Sequence, residues 1–206
     1  MKHSLPGAVA RCSKLLATVL FLLPAFSFAG QPTDTLRSTI DQVLAVLQDK
    51  EKDTGSKREK IRDIISVRFD YRAMSQRTLA QNWHTASDVQ KERFTRLYAR
   101  LMQDTYLVLV EEYENQTVEY GDESIRKEKY AQVKTNILDE GRKIPVDYKL
   151  RLKQNGEWYV YDVVIEGVSM INNYRNSYQQ IIKTDGMDGL LVKIEDKIAT
   201  LNQQEQ

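Results

Sequence analysis

The chain has 206 residues, with 30 Lys and Arg against 29 Asp and Glu, for a formal charge of +1. That balance argues against nucleic acid as the main partner, because binding phosphates needs a basic surface. One cysteine and two histidines leave little scope for thiol chemistry or a histidine-built metal site.

At the N-terminus Lys2, Arg11 and Lys14 precede an apolar run from Leu15 to Phe28, interrupted by Thr18, Pro24 and Ser27. Ser27 and Ala29 then supply small residues ahead of Gly30. A basic leader, an apolar centre shorter than a spanning helix and an A-x-A-like site make up a secretory signal peptide. The expected division is a cleaved signal peptide over 1–29 and one domain over 30–206. Cys12 and His3 leave with the leader, so the mature chain holds no cysteine and His84 alone. Disulfides, a thiol nucleophile, cysteine-ligated zinc and a two-histidine mechanism are excluded from it. Losing three cations and no acid takes the charge from +1 to −2. The remaining length suffices for an ordinary hydrophobic core.

Helices come first. Leu36, Ile40, Val43, Leu44 and Leu47 recur at helical spacing after Thr33-Asp34, a plausible cap. Ser56 and Glu59 read as a capping box ahead of Ile61, Ile64 and Ile65. A short helix is expected over Tyr71–Leu79. Ser87 and Gln90 form a second capping box and open the longest helix, expected to end near Glu114. Its stripe is Phe94, Leu97, Tyr98, Leu101, Met102, Tyr106, Leu109 and Val110.

The period then changes from 3.6 to 2. Thr117 to Tyr120 suggests an edge strand. Tyr130 to Leu138 suggests another, with Ala131, Val133, Thr135 and Ile137 on one face, turning through Asp139 to Arg142. Val146, Tyr148, Leu150 and Leu152 alternate with Asp147, Lys149, Arg151 and Lys153, and Asn155-Gly156 marks a hairpin into Trp158–Glu166. With Asn155 and Gly156 as the two loop residues, Leu152 faces Tyr159, Leu150 faces Tyr161, Tyr148 faces Val163 and Val146 faces Ile165. Lys149 then lies opposite Asp162 on the other face. Helices return over Ser169–Lys183 and from Asp188, where Leu190, Leu191, Ile194, Ile198 and Leu201 form the stripe. Segregated helices and strands define an α+β class: an antiparallel sheet with helices on one side.

The chemistry is sparse. There is no Gly-rich phosphate loop, no HExxH and no G-x-S-x-G. The acid pairs Glu111-Glu112 and Asp122-Glu123 sit among other charges and read as solvated surface. The inner-face residues include no carboxylate and no imidazole, and tyrosines with pKa values near 10 are poor acids or bases at neutral pH. His84, beside Trp83, reads as a surface or capping residue. Eleven tyrosines against five phenylalanines suit a wall greasy along its body and wet at its tip. That fits the rim of a lipid pocket, and it fits an ordinary core whose hydroxyls reach water.

Val160 to Tyr178, VYDVVIEGVSMINNYRNSY, closely resembles the most characteristic segment of the MlaC or toluene-tolerance family. Arg68-Phe69-Asp70-Tyr71 with Met74, Leu79, Trp83 and Phe94 resembles its first signature, and Asp185-Gly186-Met187-Asp188-Gly189-Leu190 its last. Tyr71, Ala80 and Met170 depart from the usual Phe, Gly and Leu. The resemblance implies a periplasmic phospholipid carrier, not an enzyme, that shuttles lipid between outer and inner membranes and maintains outer-membrane asymmetry. The alternative is a periplasmic adaptor or chaperone binding protein alone. The implied partners are an inner-membrane ABC transporter complex with a lipid-binding ring and an outer-membrane lipoprotein–porin complex, docked transiently by a monomer. No cofactor is implied beyond phospholipid as cargo, and no metal or catalytic residue. The expected architecture is N-terminal helices plus an antiparallel sheet with helices on one side, NTF2-like or cystatin-like, with the lipid pocket between. Its expected lining is Tyr98, Leu101, Met102, Tyr106, Val133, Thr135, Val146, Tyr148, Leu150, Tyr161, Val163, Ile165, Val168, Ile171 and Tyr174.

Overall fold

The computed structural model describes residues 31–111 and 116–204, with side chains described over 31–107 and 116–203. The expected signal peptide, the expected helix end near Glu114, and the side chains of Leu109 and Val110 fall outside what is described. α1 (Pro32–Gln48) begins one residue ahead of the expected Thr33-Asp34 cap. Pro32 occupies the first helical position, where its missing N–H costs nothing. The Thr33 amide and hydroxyl both donate to the Glu123 carboxylate, at 2.8 and 2.6 Å. Glu123, read as solvated, is thus a tether for the helix start.

α2 (Thr54–Arg68) is capped by Asp53, which accepts from the Ser56 amide at 3.0 Å. The expected cap at Ser56 is displaced because an upstream carboxylate already satisfies the free amide and suits the positive helix end. α3 (Tyr71–Leu79) has the expected bounds, with Asp70 accepting from the Ala73 amide. Ala80 separates it from α4 (Gln81–Thr85) at φ 51, ψ −117, a conformation that favours glycine. This is a position where the resembled family commonly has one. α5 (Asp88–Glu111) opens on the expected capping box: the Ser87 amide donates to Gln90 Oε1 at 3.0 Å, and the Gln90 amide to Ser87 Oγ at 3.2 Å.

The sheet is an antiparallel meander of β1 (Thr117–Arg126), β2 (Tyr130–Asp139), β3 (Arg142–Leu152), β4 (Trp158–Ile165) and β5 (Val168–Ser169), in that order. β1 is longer than the expected edge strand and bulges between Tyr120 and Glu123. Glu140 and Gly141 both have positive φ, as a two-residue β2–β3 turn requires.

The β3–β4 hairpin departs from the expected register in one half. Asn155-Gly156 does mark the turn, but the loop has three residues: Lys153 N donates to Glu157 O, and Gly156 N to Lys153 O. Gly156, at φ 78, takes the left-handed position that closes such loops. Near the turn, Leu152 therefore faces Trp158 and Leu150 faces Val160, each one residue off. A bulge at Tyr161 of β4, opposite the step from Lys149 to Leu150, then restores the register, and beyond it Lys149–Asp162, Tyr148–Val163 and Val146–Ile165 pair as expected. The slip costs little because Trp158 and Val160 are as apolar as the Tyr159 and Tyr161 they replace.

α6 (Met170–Gln204) joins the two expected C-terminal helices across a break at Gly186, φ 72 and ψ −178. Its second half is held to α5 by Gln90 on Asp188 and by a bidentate Arg93–Glu195 pair. α3, α5 and α6 pack on one another, α3 and α6 reach β4, and α1 lies over β1 and β2. A smaller cluster of Val46, Ile61 and Leu107 joins α1, α2 and α5. Beside it Asp104, with its side chain fully buried, pairs with Arg62 at 2.9 Å and Arg100 at 2.6 Å.

Candidate lipid site

Alternation on β1–β4 collects one set of side chains on the face towards the helices. At the Trp158 end this layer is sealed: Ala131, Val133, Leu150, Trp158 and Val160 are buried beneath Leu101, Met102 and Ile171. At the opposite end it is open. Tyr120, Ile137, Ile144, Tyr148 and Ile165 from the strands are only half-buried, as are Ile40, Tyr106 and Tyr174 from the helices. Tyr148 is the clearest case. It keeps exposed surface, yet burial pushes its hydroxyl up to about 12. An aromatic ring that packs on the core and keeps exposed surface suits the rim of an apolar site. Burial likewise raises Tyr106 and Tyr120 to about 12, and raises Tyr98, Tyr174 and Tyr178. These hydroxyls stay neutral at physiological pH.

Most of the expected lining comes together. Val133, Val146, Leu150, Val163 and the Thr135 side chain are buried on the inner face, with Thr135 donating to the Val146 carbonyl at 2.7 Å. Tyr98, Leu101, Met102 and Ile171 are buried from the helix side. Tyr98 stacks on Phe94, meets Tyr174 and Tyr178 edge-on, and accepts a hydrogen bond from the Thr78 hydroxyl. Tyr106, Tyr148, Ile165 and Tyr174 form the half-covered rim.

Two residues do not join this layer. Val168, on the short edge strand β5, is 59% exposed. The β4 bulge turns Tyr161 away, beside Tyr130 and beneath the Arg77 guanidinium. The same shift carries Trp158 and Val160 inward, two residues that the two-residue loop had placed outside. An unbroken apolar stretch, Trp158 to Val160, leaves the facing undecided by alternation alone.

Asp162 bears on catalysis. It is 4% exposed, but fully engaged: it accepts from the Ser169 hydroxyl at 2.8 Å, the Ile171 amide at 3.3 Å and the Lys149 ammonium at 2.9 Å. It therefore caps α6 and balances a lysine, with no free face for a substrate proton. His84 is exposed. Among the described residues no group of His, Cys, Asp and Glu is arranged to hold a metal ion. No helix among them is long and apolar enough to cross a membrane.

Two surface hollows lie apart from the expected lining. One, of about 440 Å³, is bordered by Asp34, Arg37, Ser38, Asp41, Gln42 and Ala45 of α1. Another, of about 210 Å³, lies between α1 and α2 at Thr39, Gln42, Lys60, Asp63, Ile64, Val67 and Arg68. Where α1 crosses β1, the Arg37 guanidinium sits 3.9 Å from the Tyr120 ring centroid. The Tyr120 hydroxyl is buried without a hydrogen-bond partner among the described residues, and such a group typically costs about 1–3 kcal/mol. Sequence reading missed this pair; the period-2 spacing of Val118 and Tyr120 was its one signal.

The family model described as MlaC protein matches residues 37–196. The chain belongs to that family. A relative from Haemophilus influenzae, the intermembrane phospholipid transport system binding protein MlaC, is 24% identical over 123 residues, covering 58% of this chain and 58% of the relative. A phospholipid-binding protein from Ralstonia solanacearum, solved in complex with a phospholipid, superposes with a TM-score of 0.75 at 25% identity. The match covers 82% of this chain and 97% of that one. The α+β arrangement of helices against an antiparallel sheet is thus shared with an MlaC-like phospholipid-binding structure. The MlaC-like segment Val160–Tyr178 also acquires a physical meaning. It carries the β4 bulge, the positive-φ Glu166-Gly167 turn, the Asp162–Ser169 cap of α6, and the rings of Tyr174 and Tyr178.

Proposed function

We propose that this chain is a periplasmic phospholipid carrier, exported by a cleavable signal peptide, that shuttles lipid between the outer and inner membranes. The carrying observation is the inner apolar layer, sealed at Trp158 and open at Ile137, Ile144 and Tyr148, with no unpaired charge among its members. Family membership and the likeness to a phospholipid-bound structure support the choice of cargo.

Each buried methylene is worth about 0.8 kcal/mol, so two chains of about 15 methylenes carry on the order of 24 kcal/mol of hydrophobic exposure. Unaided passage through water is prohibitively rare at that cost. A carrier must match most of it with apolar walls and still release the lipid to a partner, which needs no bond making or breaking. Half-covered rim residues suit that balance, since a fully enclosed chain would leave slowly. The partners of this reading are an inner-membrane ABC transporter complex with a lipid-binding ring and an outer-membrane lipoprotein–porin complex. The lining proposed is the expected set without Tyr161, Val168 and the fully buried Leu150, with Ile144 added at its open end and with Trp158 and Val160 closing its sealed end.

Gentle mass spectrometry of the mature protein tests the reading directly. Phospholipid should co-purify or be taken up from labelled vesicles. A folded protein that does neither would leave the protein-only adaptor as the better account. Val163→Glu, which puts a carboxylate on the inner face, should abolish retention; a folded variant that keeps its lipid would remove this face from the site.

A further inference from the structure

We propose that Arg37 and Tyr120 hold the phosphate of the bound lipid at the open end of the cleft. This rests on the carrier reading and extends it to a named headgroup contact.

Tyr120 belongs to the inner face of β1, paired with Thr135, and lies diagonally across β2 from Tyr148, which pairs with Val133. Both rings are half-buried at the cleft's open end. The Tyr120 hydroxyl has neither water contact nor a hydrogen-bond partner among the described residues. A hydroxyl so placed is a donor without an acceptor. Burial keeps it protonated, with its pKa pushed up to about 12.

Arg37 supplies the charge. Its guanidinium carbon sits 3.9 Å from the Tyr120 ring centroid, and the residue is exposed. Among the described residues it forms no ion pair, so the planar donor fork that suits phosphate oxygens is available. Ser38 and Gln42 flank it in the hollow of about 440 Å³ on α1. α1 is fixed over β1 by the two hydrogen bonds from Thr33 to Glu123, so Arg37 is held in place over Tyr120.

Asp34 and Asp41 border the same hollow. They offset the field of Arg37, so a small free anion gains little there. A phosphate tethered to acyl chains already in the cleft arrives at high effective concentration and needs little extra attraction. The geometry therefore selects a lipid phosphate over inorganic phosphate.

The test compares phospholipid with diacylglycerol of the same acyl chains, offered to the mature protein in vesicles of defined composition. Arg37→Ala and Tyr120→Phe should each lower phospholipid affinity about tenfold, the size expected for a charge-assisted hydrogen bond to an anionic phosphate. In both variants phospholipid should lose more affinity than diacylglycerol does, and an unchanged circular-dichroism spectrum and urea midpoint show that they fold. Arg37→Lys should restore part of the loss. Equal phospholipid-to-diacylglycerol preference in variants and wild type would overturn the assignment, as would displacement of phospholipid by inorganic phosphate. A wild-type protein that takes up neither lipid would instead sink the carrier reading itself.

Discussion

The division of the inner layer into a sealed and an open end can be measured by truncating one aliphatic side chain at each. Leu150 is fully buried on β3, whereas Ile144, on the same strand and face, is half-buried at the open end. In lipid-free protein Leu150→Ala should cost about 3 kcal/mol, the usual size of a core truncation plus its residual cavity. At a urea m-value of about 2 kcal/mol per molar this lowers the midpoint by about 1.5 M. Ile144→Ala removes a partly exposed side chain and leaves no enclosed void, so it should cost about 1 kcal/mol, or about 0.5 M. The order should reverse for lipid. Ile144→Ala withdraws three carbons from a wall that acyl chains touch, worth up to about 2 kcal/mol, or about thirtyfold in affinity. Leu150→Ala should change affinity by less than about threefold, since its site lies beneath the wall. Vesicle uptake and urea melts of the same preparations read both quantities. If the two variants lose affinity equally, or if Leu150→Ala loses more, the cleft does not open where Ile144 stands.

Asp104→Ala should destabilise by about 3 kcal/mol, because Arg62 keeps its largely buried charge without a partner; Arg100 can turn to water, which holds the loss at the low end of the range. A urea midpoint within error of wild type would show that the network carries no net energy. Ala80→Gly should stabilise by about 1 kcal/mol, the strain of φ 51 relieved less the entropy glycine loses, and a calorimetric midpoint that falls would contradict the strained conformation. Tyr106, Tyr120 and Tyr148 have folded pKa values raised from 10 to about 12. Their neutral forms favour the fold, so that contribution is complete below pH 10 and is lost as pH climbs from 10 to 12. Stability should fall across that window while phenolate absorbance lags behind a free tyrosine, and a single tyrosine titration near 10 in folded protein would refute the burial.

Several elements were legible because they depend on near neighbours. The capping box at Ser87 and Gln90, the bounds of α3 and the break between the C-terminal helices were all written in short spacings. So was the α+β order, since a change of hydrophobic period needs no tertiary information. Residue-level resemblance reached the family, and its departure at Ala80 falls where the backbone turns left-handed.

Where a local signal had two equivalent outcomes, residues fell short. Asn155-Gly156 announces a hairpin but does not choose between a two- and a three-residue loop. In the second case Gly156 closes the turn and Trp158 and Val160 move inward. Because β4 is apolar on both faces up to Val160, no charge penalised the slip. The Lys149–Asp162 pair restored the register beyond it, at the cost of a bulge that turned Tyr161 out. Asp53 took the α2 cap from Ser56 for a similar reason: two adequate acceptors competed, and geometry chose.

The amino-acid sequence by itself determined the α+β order of helices and strands and an inner sheet face free of acids and imidazole. Those properties follow from residue type and spacing. Tertiary structure alone decided which apolar residues are core and which are wall. The distinction depends on how far the helices reach along the sheet, covering Leu150 and leaving Ile144 and Tyr148 half-open. It also brought Arg37 over Tyr120, residues 83 positions apart, because Glu123 tethers α1 across the edge of the sheet. Long-range contacts of that kind leave no periodic trace in the chain.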